Sequence, residues 1–138
     1  MNIPTSPVRV AVVQAASIIL DWQATVDKTC HLIQEAAGQG ARLILFPEAF
    51  IPAYPWGLRF GTVVGGRTLP GRKAWARYWA NAVEVPGPAT AAIGQAARAA
   101  NAFVAIGVIE RDSTYSGGTV YCTLLYFGPD GSLLGKHR

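Results

Sequence analysis

Hydrophobic positions in the first third of the chain alternate between strand-like runs and helical spacing. Residues 8–14 (VRVAVVQ) and 42–46 (RLILF) are apolar runs of strand length that we expect to be buried on both faces. Between them, apolar side chains recur at helical spacing and predict a helix that Asp21 caps and Gly38 and Gly40 end. Strand, helix and strand in this order predict a βαβ unit with two parallel strands.

The rest of the chain predicts two more helices and an antiparallel hairpin. Residues 51–70 are rich in Pro, Gly and aromatic residues and read as an ordered loop. The predicted elements after it are helices over 73–83 and 88–100, then strands over 103–109, 119–127 and 132–136. A Gly-Pro-Asp-Gly turn joins the last two strands. The pattern as a whole predicts an α/β fold.

Length and composition indicate more apolar surface than a solitary domain of this size would expose. A chain of 138 residues fits one domain, yet 51% is hydrophobic and 14% is charged, against about a quarter charged in ordinary globular domains. We expect the surplus apolar surface to meet either another chain or a further part of its own. The chain also stops within a strand-like segment, which predicts a fragment of a longer protein.

Charge and cysteine content exclude several classes of protein. The net charge is +4, but the arginines are scattered, so a nucleic-acid partner is not expected. No apolar run approaches the ~18 residues of a membrane span, and no signal pattern opens the chain. We therefore expect a soluble, cytoplasmic protein. Cys30 and Cys122 lie far apart, outside any CxxC pair, and predict neither a disulfide nor a zinc site.

Glu48 is the first candidate for chemistry. It comes directly after an apolar strand, where open α/β sheets bind their ligands, and removal from water would suit a general base near neutral pH. A helix cap or an ion pair with arginine is the alternative. Lys136, near the end of the return strand, could hold Glu48 ionised. Glu110 repeats the placement of Glu48, but an ion pair with Arg111 or a neighbouring chain is the favoured interpretation.

Four ordered segments give the chain a family resemblance: RVAVVQAA, LILFPEAFIPAYPWG, GVIERD and FGPDGSLLGKHR. Together they resemble the nitrilase superfamily of carbon–nitrogen hydrolases, in particular its nitrilase branch. The resemblance implies a four-layer α-β-β-α sandwich, of which residues 1–138 would form the N-terminal portion of a single domain, truncated after the lysine motif. Two helices on one side and the opening strands would belong to this portion.

The resemblance also implies a Glu-Lys-Cys mechanism without metal or organic cofactor. Glu48 matches the general base and Lys136 the catalytic lysine, while the nucleophilic cysteine would lie beyond Arg138. Cys30 and Cys122 are then packing residues. The implied reaction converts an organic nitrile, aromatic or arylaliphatic, into the carboxylic acid and ammonia.

Around this site, some interpretations stay open. Tyr54 and Trp56 either contact the substrate at the pocket mouth or hold the loop on the sheet. His137 is taken as a neighbour of Lys136, and the aromatic helix with Trp75, Tyr78 and Trp79 as core or subunit contact.

The expected partners are a small nitrile and either the remainder of the same protein or further copies of it, in a homo-oligomer and possibly a spiral filament. No nucleic acid or membrane is expected as a partner. The alternatives are an amidase or cyanide-converting relative with the same triad, or an inactive fragment that only binds a partner chain.

Overall fold

A computed structural model describes residues 6–54, 62–63, 66–114 and 117–138. Its elements in chain order are β1 (Val10–Val12), α1 (Trp22–Gly38), β2 (Leu43–Leu45), β3 (Thr62–Val63), β4 (Gly66–Arg67), α2 (Leu69–Asn81), α3 (Pro88–Ala100), β5 (Phe103–Arg111), β6 (Val120–Phe127) and β7 (Leu133–His137). One sheet has the order β1-β2-β5-β6-β7, and β3 pairs with β4. The predicted α/β fold is confirmed.

The predicted βαβ unit is present. β1 and β2 run parallel, with Val10 opposite Leu43, and α1 forms the crossover between them. Asp21 caps α1, because its carboxylate accepts a hydrogen bond from the backbone N–H of Ala24 at 3.0 Å. β5 adds to β2 in parallel, whereas β6 and β7 follow antiparallel. The predicted hairpin is therefore also confirmed.

Two elements extend beyond their predicted bounds. α2 begins at Leu69, because the Thr68 hydroxyl accepts the backbone N–H of Gly71 at 3.2 Å and proline is tolerated in a first helical turn. β5 runs on to Arg111, so Glu110 lies inside the strand rather than after it.

The main core lies between the sheet and the helices α1 and α3. Its fully buried members include Ile33, Ile44, Ile93, Val104, Ile106 and Leu125. Each such aliphatic side chain contributes about 1.5–3 kcal/mol relative to an exposed one. Along β5 the even-numbered residues face this core, as strand alternation requires. Two helices on one side of the sheet agree with the predicted architecture.

The opposite face of the sheet exposes apolar side chains. Val10, Phe103 and Tyr126 are exposed there, and Val12 is 76% exposed. The prediction that the first strand is buried on both faces is therefore wrong, because α1 and α3 cover one face. Exposed apolar surface is what the low charge content predicted. None of the helices in the described part of the chain has the length and hydropathy needed to cross a bilayer.

Candidate active site

Glu48 lies in a tight turn after β2, and the backbone of this turn is bound to β5. The N–H of Gly107 donates to the carbonyl of Pro47 at 3.2 Å, and the N–H of Phe50 donates to the carbonyl of Gly107 at 2.8 Å. Ala49 adopts a φ of 49°, in the left-handed region that few non-glycine residues enter. Two hydrogen bonds to a core strand thus fix the backbone on both sides of Glu48.

The carboxylate of Glu48 accepts a hydrogen bond from Cys122. The distance from the Cys122 Sγ to the Glu48 Oε1 is 3.1 Å. Both residues are exposed in this structure, so the predicted desolvation of Glu48 and the predicted packing role of Cys122 are wrong. The reason is that Cys122 projects from the sheet face opposite α1 and α3.

The thiol of Cys122 is held in its protonated form. Loss of hydration, the hydrogen bond to Glu48 and the negative charge of Glu48 together raise the pKa of Cys122 to about 11. Cys30, which is half-buried in α1, also has a raised pKa, through burial and the charge of Asp27. Neither thiol has the lowered pKa that marks a reactive cysteine.

A small apolar cluster supports the turn from the same face of the sheet. Its buried members are Ala49, Tyr78, Ala82 and Ile109. Tyr78 of α2 is 3% exposed. Burial, followed by the charges of Tyr54 and Cys122, raises the pKa of the Tyr78 phenol. Tyr78 is therefore a core residue, and core packing is one of the two roles that the sequence predicted for the aromatic helix.

Glu110 forms the most strongly paired charged centre among the described residues. It is 2% exposed. Its carboxylate accepts hydrogen bonds from the Lys136 Nζ at 2.5 Å, the Arg138 Nη2 at 2.8 Å and the Thr123 hydroxyl at 2.9 Å. Desolvation alone would raise the pKa of Glu110, but the bonds from Arg138, Lys136 and Thr123 lower it to about 2.

The structure does not bring Lys136 to Glu48. Lys136 is opposite Leu125 in the sheet, and Leu125 is part of the core between the sheet and the helices. Opposed residues share a face, so Lys136 lies on the helix-covered side with Glu110. Glu48 bonds to Cys122 on the other side. The predicted proximity of Lys136 and Glu48 is therefore wrong.

The other predicted site residues have separate positions. Tyr54 is 66% exposed, and Trp56 lies outside the described residues. His137 is opposite Leu124 and shares the face of Cys122 rather than that of Lys136. Arg111 does not pair with Glu110: its Nη2 bonds to Glu84 at 2.8 Å. In the described residues, no group of three His, Cys, Asp or Glu side chains could hold a metal ion.

Sequence reasoning missed two contacts that strand alternation could have revealed. Glu110 is in phase with Val104, Ile106 and Val108, so it points to the core and needs a cation as partner. Cys122 is in the opposite phase and faces the turn at Glu48 across β5. Alternation indicates the face on which each side chain lies. The partner on that face depends on the register between strands, so a single motif does not identify it.

The sequence profile of the family described as carbon-nitrogen hydrolase matches residues 9–138, and the chain belongs to that family. It is 54% identical over 130 residues to an aliphatic nitrilase of Sinorhizobium fredii (strain HH103), covering 94% of this chain and 41% of that protein. Over 135 residues it is 45% identical to nitrilase 1 of Arabidopsis thaliana, covering 98% of this chain and 38% of that protein. The chain thus spans about two fifths of these relatives.

Solved structures show the same fold at lower identity. An amidase from Nesterenkonia sp. superposes with a TM-score of 0.64 at 20% identity, over 99% of this chain and 44% of that one. At such identity the likeness concerns the fold alone. It agrees with the expectation that the sheet and its two helices form part of an α-β-β-α sandwich.

Proposed function

We propose that the intact protein hydrolyses an organic nitrile to the carboxylic acid and ammonia, with Glu48 as the general base. Family membership and relatives named as nitrilases support this proposal. The observation that carries it is the geometry of the turn at Glu48, which is fixed by hydrogen bonds of Pro47 and Phe50, on either side of Glu48, with Gly107. Rigid placement of this kind is what a proton-transfer group needs, and a positioned base contributes roughly 10²- to 10⁴-fold in rate.

In the proposed reaction, Glu48 takes the proton from the thiol of a cysteine outside residues 1–138. The sulfur forms a bond to the nitrile carbon, and the proton passes to the nitrogen to give a thioimidate. One water adds to that carbon, the C–N bond breaks to release ammonia, and a thioester remains. A second water cleaves the thioester, which releases the acid and restores the thiol. Two waters are consumed for each nitrile.

The role of Lys136 in this reaction stays a prediction that rests on the family resemblance. The contacts of Lys136 favour another role, because its ammonium group is bound to the buried Glu110.

For the substrate we propose an aromatic or arylaliphatic nitrile, contacted by Tyr54 and Trp56. The exposed ring of Tyr54, six residues after Glu48, supports such a contact. An aliphatic substrate is the second candidate, favoured by the name of the relative from Sinorhizobium fredii. An amidase would use the same base and release the same acid and ammonia from an amide, and a cyanide-converting relative would act on cyanide, so the substrate distinguishes these alternatives.

The test measures ammonia and acid released by the intact protein from aromatic, arylaliphatic and aliphatic nitriles, their amides and cyanide. Turnover of nitriles is expected, with the aromatic group preferred. Glu48→Gln keeps the shape but not the base and should lower the rate at least about 10²-fold. Glu84→Gln, which changes a half-exposed carboxylate paired with Arg111, is the matched control. Full activity of Glu48→Gln, or turnover of amides alone, would refute the proposal.

Three further proposals extend the expectations from the sequence. Residues 1–138 by themselves should release no ammonia, because the raised pKa values of Cys30 and Cys122 disfavour either as nucleophile. The intact protein should be cytoplasmic, and it should form a homo-oligomer, possibly a spiral filament. Fractionation, light scattering and electron microscopy test location and assembly.

A further inference from the structure

The contact between Cys122 and Glu48 joins two strands that are not neighbours in the sheet. Glu48 follows β2, and Cys122 lies on β6, with β5 between them. Gly107 of β5 has no side chain, so the turn at Glu48 lies directly over the strand. Cys122 is opposite Ile109, two residues further along β5 on the same face. The thiol therefore reaches across β5 to the carboxylate.

We propose that Cys122 is a positioning residue for Glu48. Its S–H donates to the Oε1 of Glu48 at 3.1 Å and holds the carboxylate in one orientation. The other oxygen, Oε2, then takes the proton from the substrate side. This inference rests on the proposed role of Glu48 as general base and adds a second residue to that site.

The surroundings of Cys122 suit a donor rather than a nucleophile. A carboxylate is an acceptor only, so the thiol must keep its proton to make the bond. The raised pKa of Cys122, caused by lost hydration and by Glu48, keeps that proton in place across the neutral range. Other titratable groups on this face are Tyr78 of α2, Tyr54 after the turn, Tyr126 of β6 and His137 of β7.

If Cys122 acted only through packing, its replacement by alanine would affect folding and not activity alone. Cys122 is exposed in this structure, so shortening it to alanine leaves little cavity. A loss of activity in Cys122→Ala with unchanged folding would therefore come from the lost hydrogen bond. Serine is the matched variant, because its hydroxyl keeps a donor at nearly the same place.

The first experiment compares kcat, KM and pH profile for the intact protein and its Cys122→Ala and Cys122→Ser variants on a nitrile. Cys122→Ala is expected to lower kcat by about threefold to tenfold with little change in KM, and to move the acid limb of the profile to higher pH. Cys122→Ser should return kcat to within about twofold. Unchanged kinetics in Cys122→Ala, or no rescue by serine, overturns the proposal. Complete loss of activity in both variants also overturns it, because the thiol of Cys122 would then itself take part in the reaction.

A second measurement tests the contact even if nitriles are not hydrolysed. Iodoacetamide labelling of Cys122, located by peptide mass spectrometry, is compared between the intact protein and Glu48→Gln. Removal of the negative charge should lower the pKa of Cys122 and speed its labelling by about threefold or more at pH 8. An unchanged labelling rate would show that the thiol of Cys122 does not contact the carboxylate of Glu48, and would overturn the proposal. Faster labelling without nitrile turnover would instead count against the proposed function alone.

Discussion

Gly107 and Glu48 approach each other backbone to backbone: a Cβ added at Gly107 would lie 2.5 Å from the Cα of Glu48. The same Cβ would lie 2.6 Å from the backbone nitrogen of Ala49 and 2.7 Å from the carbonyl oxygen of Pro47. All three atoms belong to the backbone, so no flexible side chain can move away. The candidate base therefore depends on a glycine in the neighbouring strand.

Gly107→Ala should displace the turn and with it the carboxylate of Glu48. We expect a loss of stability of about 1–3 kcal/mol, as for other overpacked sites, and a fall in nitrile turnover of more than about tenfold. Thermal unfolding and kcat measure the two effects. Gly135→Ala is the matched control, since a Cβ there meets nothing within 4 Å. A Gly107→Ala protein with normal turnover and melting temperature would contradict the described packing.

Glu110 should make stability depend on pH in the acid range. Its pKa is lowered from 4.5 to about 2 in the folded chain, so its ionised form stabilises the fold. That contribution is complete above pH 4.5 and is lost as the pH falls towards 2. A shift of this size corresponds to roughly 3 kcal/mol at neutral pH.

Glu110→Gln is therefore expected to lower the free energy of unfolding by roughly 3 kcal/mol at pH 7 and by progressively less below pH 4.5. Urea unfolding at several pH values measures the difference. Glu84→Gln, at a partly exposed ion pair, should cost at most about 1 kcal/mol. Equal losses in the two variants would show that burial of Glu110 does not strengthen its ion pairs.

Asp21→Ala tests a local feature that the sequence already predicted. The variant removes the acceptor for the N–H of Ala24 and should cost about 1 kcal/mol in stability. Asp27→Ala removes a carboxylate from the middle of the same helix and should have little effect, because alanine favours a helix interior. Equal unfolding midpoints for the two variants would show that the cap contributes nothing.

Much of the fold was accessible from sequence because its signals are local. The Asp21 cap, the Gly87-Pro88 start of α3 and the apolar run of β2 each involve a few adjacent residues. The start of α2 was missed because the Thr68 cap lies within a segment dominated by loop residues. Exposure on the second sheet face was missed because an apolar run alone does not show which layers cover it.

Only half of the candidate site could be predicted from the sequence, because the face on which each side chain lies depends on the register between the strands. Glu48 could be placed from its position after β2. The face of Lys136 could not, because the pairing of β6 with β7 shifts by one residue between Tyr126 and Phe127. Continued without the shift, the pairing of Phe127 with Leu133 would set Lys136 opposite Leu124, on the face of Cys122. A shift of one residue reverses the face of every later side chain.

Variants of Lys136 distinguish a structural from a catalytic role for its charge. If Lys136 acts through Glu110, Lys136→Met should lower stability by about 1–2 kcal/mol, and the double variant with Glu110→Gln should lose less than the sum of the two single losses. Lys136→Arg should keep most of the stability and nitrile turnover, because a second cation can still bind Glu110. Urea unfolding and kcat on the same preparations test this. If instead Lys136→Arg folds normally but loses turnover while Glu110→Gln stays active, the ammonium group contacts the substrate. The strand register described here would then not hold in the intact protein.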